Sequence, residues 1–147
     1  MRKTKHTATP SLTCTTRFRV RFSEVDSMHI VWHGNYALYI EDGREAFGCQ
    51  YPGLGYGDIR ASGYGAPIVD MQVQFRGPLR LGDEAVIETR YIDTDAAKIC
   101  FEYEISRPDG TPVATAGTVQ VFTDCRGELE LVSPAFYLEW KRRWGVK

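Results

Sequence analysis

The sequence predicts an α+β fold, one antiparallel β-sheet covered by a single long helix. Four segments between residues 69 and 123 alternate apolar and polar residues, the pattern of half-buried strands. Only a few Gly, Pro and Asp residues separate them, which leaves no room for helical crossovers and makes a meander rather than a βαβ alternation. Before them lies one stretch with a helical stripe: Tyr36, Tyr39, Ile40, Gly43 and Phe47 fall at i, i+3, i+4, i+7 and i+11.

Residues 1–15 are polar, threonine-rich and without period, and read as a loose tail before a single domain, 16–147. Thr16–Phe22 reads as a strand, with Phe18, Val20 and Phe22 on one face and Arg17, Arg19 and Arg21 on the other. Ser23–Gly34 reads as a structured loop, and Asn35 to about Phe47 as the helix. Gly43 costs about 1 kcal/mol of helix propensity; its place on the stripe predicts close approach to the sheet. Tyr51–Pro67 holds Gly53, Gly55, Gly57, Gly63 and Gly65. It reads as a long mobile connection, with spacings that do not fit a nucleotide-binding fingerprint.

The meander then places Val69, Met71, Val73 and Phe75 on one face of a strand. Ala85, Ile87, Thr89 and Tyr91 follow on the next, and Ile99, Phe101, Tyr103 and Ile105 on the third, before a last strand at Val113–Thr123. Leu81-Gly82-Asp83, Asp93-Thr94-Asp95 and Pro108-Asp109-Gly110 supply the turns. Ser133 and Pro134 predict the N-cap and first position of a short C-terminal helix, with Phe136, Trp140 and Trp144 along its edge.

The 147 residues, 43% hydrophobic and 25% charged, suit one globular domain. A net charge of −1 gives no global attraction to nucleic acid or anionic lipid, and no apolar run nears the roughly 20 residues of a membrane span. The basic start Met1–His6 lacks the apolar core of a signal peptide. Cys14, Cys49, Cys100 and Cys125 form no C-x-x-C pair and read as buried, reduced thiols of a cytoplasmic protein. Neither metal nor cofactor is expected, and neither nucleic acid nor membrane as a partner. A sheet with one helix leaves edges and a face uncovered, which predicts a homodimer or homotetramer.

The loop before the helix reads Glu24-Val25-Asp26-Ser27-Met28-His29-Ile30-Val31-Trp32-His33-Gly34-Asn35-Tyr36. It resembles the motif of the 4-hydroxybenzoyl-CoA and acyl-CoA thioesterase family: an aspartate, two spacers, a glycine, an apolar pair around a variable residue, then Asn-Tyr opening the helix. The resemblance extends from about Thr16 to Thr123. It implies the hotdog fold, a sheet wrapped around one central helix, and hydrolysis of an acyl-CoA to a free acid and CoA. The chain departs from the family at His29, where glycine is usual.

The resemblance makes Asp26 the nucleophile or general base, and the backbone N–H of His33 the main oxyanion donor. Helix-opening N–H groups suit that role because they lack internal partners and carry the positive end of the dipole. Without the motif, Asp26 reads as a turn-capping residue. His29 and the His33 ring are candidates for proton transfer or substrate contact, or plain loop histidines. Asn35 reads first as a helix cap and second as a substrate contact, and Tyr36 as core stripe that also belongs to the motif. Arg76 and Arg80 bracket Gly77-Pro78, where paired guanidiniums suit the phosphates of CoA or merely line the sheet rim. The alternatives are a thioesterase for acyl-carrier-protein thioesters, a non-catalytic acyl-CoA-binding domain, and a dehydratase using His29 or His33 with Glu45.

Overall fold

The computed structural model describes residues 12–146. Its strands are β1 (Leu12–Arg19), β2 (Ile68–Phe75), β3 (Glu84–Ile92), β4 (Lys98–Ser106), β5 (Pro112–Thr123) and the short β6 (Leu129–Glu130). They form one antiparallel sheet in the order β1-β3-β4-β5-β2, with β6 on β5. The helices are α1 (Tyr36–Gln50), α2 (Tyr56–Ala61) and α3 (Ala135–Arg143). This is the expected hotdog architecture, a sheet around one long helix.

Register brings the predicted apolar faces into rows. Thr16, Ile87, Ile105, Ala114 and Phe75 lie across the sheet in one row, and Cys14, Thr89, Tyr103, Ala116 and Val73 in the next. The α1 stripe packs on these rows, with Tyr36, Tyr39, Ile40, Gly43 and Phe47 all buried. Gly43 meets the sheet as expected: a Cβ there would stand 2.6 Å from Thr89 Oγ1 and 2.9 Å from Ile87 Cδ1. Phe18 stacks on Tyr39 and Phe47 on Tyr91, while Phe47 meets Phe101 edge-on.

Several boundaries differ from expectation. β1 begins at Leu12, inside the segment assigned to the tail, because pairing with β3 supplies the order that the polar sequence does not; residues 1–11 lie outside the described residues. β1 ends at Arg19, and Phe22 turns away into a 3-10 turn, 81% exposed rather than aligned with Phe18 and Val20. The Tyr51–Pro67 connection contains α2 and is tied down. Asp58 accepts from the N–H groups of Gly53 and Gly55, while Trp140 and Trp144 donate to the carbonyls of Tyr51 and Pro52. β2 is an edge strand whose apolar residues stay open, Val69 at 59% and Phe75 at 54% exposed.

α3 starts one residue later than predicted, with Pro134, which has no side-chain acceptor, at the cap position in place of Ser133. Its most buried residues include Tyr137, a position off the predicted edge. Lys141 is also buried, paired with Asp93 at 2.8 Å and donating to the Thr94 carbonyl at 2.9 Å. Cys14 and Cys100 are buried as expected, but Cys49 and Cys125 are exposed, since they lie on the outer side of α1 and in the turn after β5.

Candidate functional site

The loop from Glu24 to Asn35 is a small, closed hairpin that leads into α1. Val25 pairs with Val31, the Asp26 N–H donates to Ile30 O at 2.9 Å, and the Trp32 N–H donates to Glu24 O at 3.0 Å. At its tip the Asp26 carbonyl accepts from the His29 N–H at 3.0 Å, while Asp26 Oδ1 accepts from the Met28 N–H at 2.8 Å. This is a side-chain turn of the kind aspartate favours. It holds the half-buried Asp26 carboxylate in one orientation and leaves Oδ2 outside the turn bond.

His29 stands at φ 61°, the left-handed region that glycine enters freely and other residues enter at a cost. The family's glycine backbone is therefore kept by a histidine, and the exposed imidazole is added to the tip of the turn.

His33, Gly34 and Asn35 form a 3-10 turn that runs into α1 at Tyr36. Its first internal bond runs from the Asn35 N–H to Trp32 O at 2.9 Å. The N–H groups of His33 and Gly34 precede that bond, where helix geometry provides no internal acceptor. The half-exposed Trp32 ring lies over Gly34, and a Cβ there would come within 2.1 Å of it unless the ring swung aside. The His33 ring is exposed and lies 5.1 Å from Trp32, ring centre to ring centre.

Asn35 does not cap the helix with its side chain. Its Nδ2 donates to Glu24 O at 2.8 Å, so it closes the hairpin instead. Tyr36 is buried and packs edge-on against Phe75. Burial raises its phenol pKa, with the Arg107 charge acting the other way.

The loop leans on the segment between β2 and β3. The Val31 N–H donates to Leu79 O at 2.8 Å, and Ile30 pairs with Arg80. Arg80 is thus brought to the loop by its backbone. Arg76 donates to Gln74 at 3.0 Å and lines a cavity of about 490 Å³ with Gln72, Arg90 and Glu102, on the sheet face away from α1. The two arginines go to different surroundings, because the Gly77-Pro78 break turns the chain between them.

Residues not predicted hold this arrangement. Glu24 Oε1 accepts from the Arg21 N–H at 2.7 Å and from Tyr39 Oη at 3.1 Å. Burial raises the Tyr39 pKa, reinforced by Glu24. Asp83 Oδ2 accepts from the Arg80 N–H at 2.8 Å and from Arg107 Nη1 at 2.9 Å, and Arg107 also donates to Pro78 O. The Arg80 N–H bond, more than the guanidinium, lowers the Asp83 pKa. Position two before Asp26 was a signal for Glu24; nothing local marked Asp83 or Arg107. Among the described residues, no three or more His, Cys, Asp or Glu side chains are placed to share a metal ion, and no helix is long and apolar enough to cross a membrane.

A family model described as the thioesterase-like superfamily matches residues 20–140. The chain is 36% identical over 91 residues to YneP of Bacillus subtilis, named as a candidate acyl-CoA thioesterase, covering 62% of this chain and 65% of that protein. It is 32% identical over 107 residues to the chloroplastic acyl-acyl carrier protein thioesterase ATL3 of Arabidopsis thaliana, covering 72% of this chain and 56% of that protein. The match thus spans less than two thirds of either relative. A DHNA-CoA thioesterase from Staphylococcus aureus has the same fold, with a TM-score of 0.80 at 20% identity over 91% of both chains. The helix-opening loop and the Leu79–Arg80 segment it leans on lie within the matched residues, and the chain belongs to the thioesterase-like superfamily.

Proposed function

We propose that this protein is an acyl-CoA thioesterase that hydrolyses the thioester to a free acid and CoA. The observation that carries the reading is the Asp26–Tyr36 hairpin. It fixes a carboxylate and the unpaired N–H groups of a helix opening within one hydrogen-bonded unit. The thioester carbonyl oxygen sits on the His33 N–H, where the helix dipole favours the negative charge that develops in the transition state. Asp26 attacks the carbonyl carbon or takes a proton from an attacking water. If Asp26 attacks, breaking the C–S bond releases CoA thiolate and leaves an Asp26 anhydride that water hydrolyses to the acid; if water attacks, its oxygen becomes part of the acid and the proton held by Asp26 passes to the departing CoA thiolate.

His29 and the His33 ring flank the thioester as polar contacts, Asn35 and Tyr36 seat the helix beneath it, and Arg80, which the loop holds through Ile30, receives the phosphates of CoA. The protein acts in the cytoplasm as a homodimer or homotetramer, with the open β2 edge as the pairing surface. The names of the relatives support both CoA and carrier-protein thioesters as substrate classes. The absence of a strong positive charge, which an acidic carrier would favour, supports CoA.

Thiol release from an acyl-CoA panel tests the reading. Asp26→Asn is expected to lower kcat by about 100-fold or more with KM nearly unchanged. Full activity in that variant removes Asp26 from the mechanism. Saturable binding without turnover of any thioester would favour a binding domain instead.

A further inference from the structure

Arg44 lies on the central helix and is 1% exposed. Its Nη2 donates to Leu54 O at 2.6 Å and its Nε to Gln120 Oε1 at 3.3 Å. The guanidinium lies between two rings, 4.7 Å from the Phe101 centre and 5.1 Å from the Tyr56 centre. Nη1 is buried and has no acceptor among the described residues. No ion pair to Arg44 forms among the described residues.

The neighbouring polar groups are satisfied. Gln120 Nε2 donates to Ala66 O at 2.7 Å, and Tyr103 Oη lies 3.0 Å from Thr118 Oγ1. The unmet group is thus one N–H-bearing nitrogen on a side chain that keeps its positive charge. An unmatched buried donor is expensive, and a buried charge without a counter-ion more so. One wall of its site, Tyr56, is 42% exposed and opens α2 between Gly55 and Gly57.

Arg44 stands eight residues beyond Tyr36, about 12 Å along the helix axis. The proposed thioester position is at the opening of that same helix. We propose that Arg44 reads the far end of the acyl group, donating from Nη1 to a hydroxyl or carboxylate oxygen there. Tyr56 moves aside to admit it. The protein then prefers acyl groups that end in oxygen over plain alkyl chains. This inference rests on the thioesterase reading above.

The test compares kcat/KM for octanoyl-CoA, 8-hydroxyoctanoyl-CoA and the mono-CoA thioester of octanedioic acid. The wild type is expected to favour an oxygen-ended substrate by about tenfold or more, the effect of one charge-assisted hydrogen bond. Arg44→Met is expected to bring the ratio to about one; a merely structural role would lower all three rates together and leave the ratio intact. If that variant does not fold, Arg44→Lys is read on the hydroxyl substrate, and an undiminished preference there overturns the proposal. Octanoyl-CoA turnover without a wild-type preference overturns this inference alone. No turnover of any of the three overturns the thioesterase reading and this inference with it.

Discussion

His29 separates two roles that the sequence left open. Its φ of 61° costs about 1–2 kcal/mol for a residue with a Cβ, while glycine loses about 0.5–1 kcal/mol through a freer unfolded chain. His29→Gly should therefore raise the unfolding free energy by about 0.5 kcal/mol in denaturant titrations. If the imidazole only occupies the turn, kcat stays within about twofold; if it moves a proton, kcat drops by about 100-fold. Asn35 teaches a related lesson. Its residue type and place suggested a cap, but helical backbone at that position and a nearer carbonyl on Glu24 redirected its amide. Sequence spacing identifies which residues meet at a helix opening. Which of several nearby acceptors an amide takes depends on the fold of the loop.

At the scale of elements, the clamp of Asp83 and Arg107 on the Pro78–Asp83 turn positions the Glu24–Asn35 hairpin at one remove, through Leu79 O and Arg80. The folded Asp83 pKa lies below its usual value. Its contribution to stability is therefore present above the unfolded aspartate pKa of about 3.9 and lost as pH falls through the lower folded value. Asp83→Asn should destabilise the protein by about 1 kcal/mol at pH 7, and the gap to wild type should narrow in unfolding measurements as pH falls past the unfolded value toward the folded one. An unchanged gap at low pH would assign the loss to packing. Arg107→Ala should lower kcat severalfold as the hairpin loosens, with the Asp26 chemistry itself intact.

The strands and α1 were legible because period-two and period-3.6 patterns record which faces are buried. The helix inside Tyr51–Pro67 was not: its glycines outweigh a six-residue helix, and the residues that tie it down, Trp140 and Trp144, lie far along the chain. Arg44 was hidden for the opposite reason, a charged residue beside an apolar stripe that reads as solvent-facing. The hairpin was the best-read part of the site because its residues are contiguous. Asp83 and Arg107 reach it only through the folded sheet.

For the whole molecule, β2 is the decisive surface. It carries Val69, Met71 and Phe75 exposed at the sheet edge, and an open apolar edge invites pairing with another strand. In the proposed oligomer this edge is covered by a second copy. The wild type is expected to sediment as a dimer or tetramer and Met71→Lys to shift it toward monomer in sedimentation velocity, and a monomeric wild type would overturn the pairing. The Tyr36–Phe75 contact joins that edge to the helix opening, so dissociation should also lower activity at dilute enzyme.

The late position of α3 has a consequence for synthesis. Tyr137 packs on Phe122 and bonds to Tyr91, Trp140 covers Phe47 and Tyr91, and Lys141 closes on Asp93. All of these partners are made before the helix is. A nascent chain that has not yet released Ala135–Arg143 from the ribosome holds a finished sheet with an open aromatic wall, a surface for chaperones to bind. The helix that seals the core is thus made after every partner it covers.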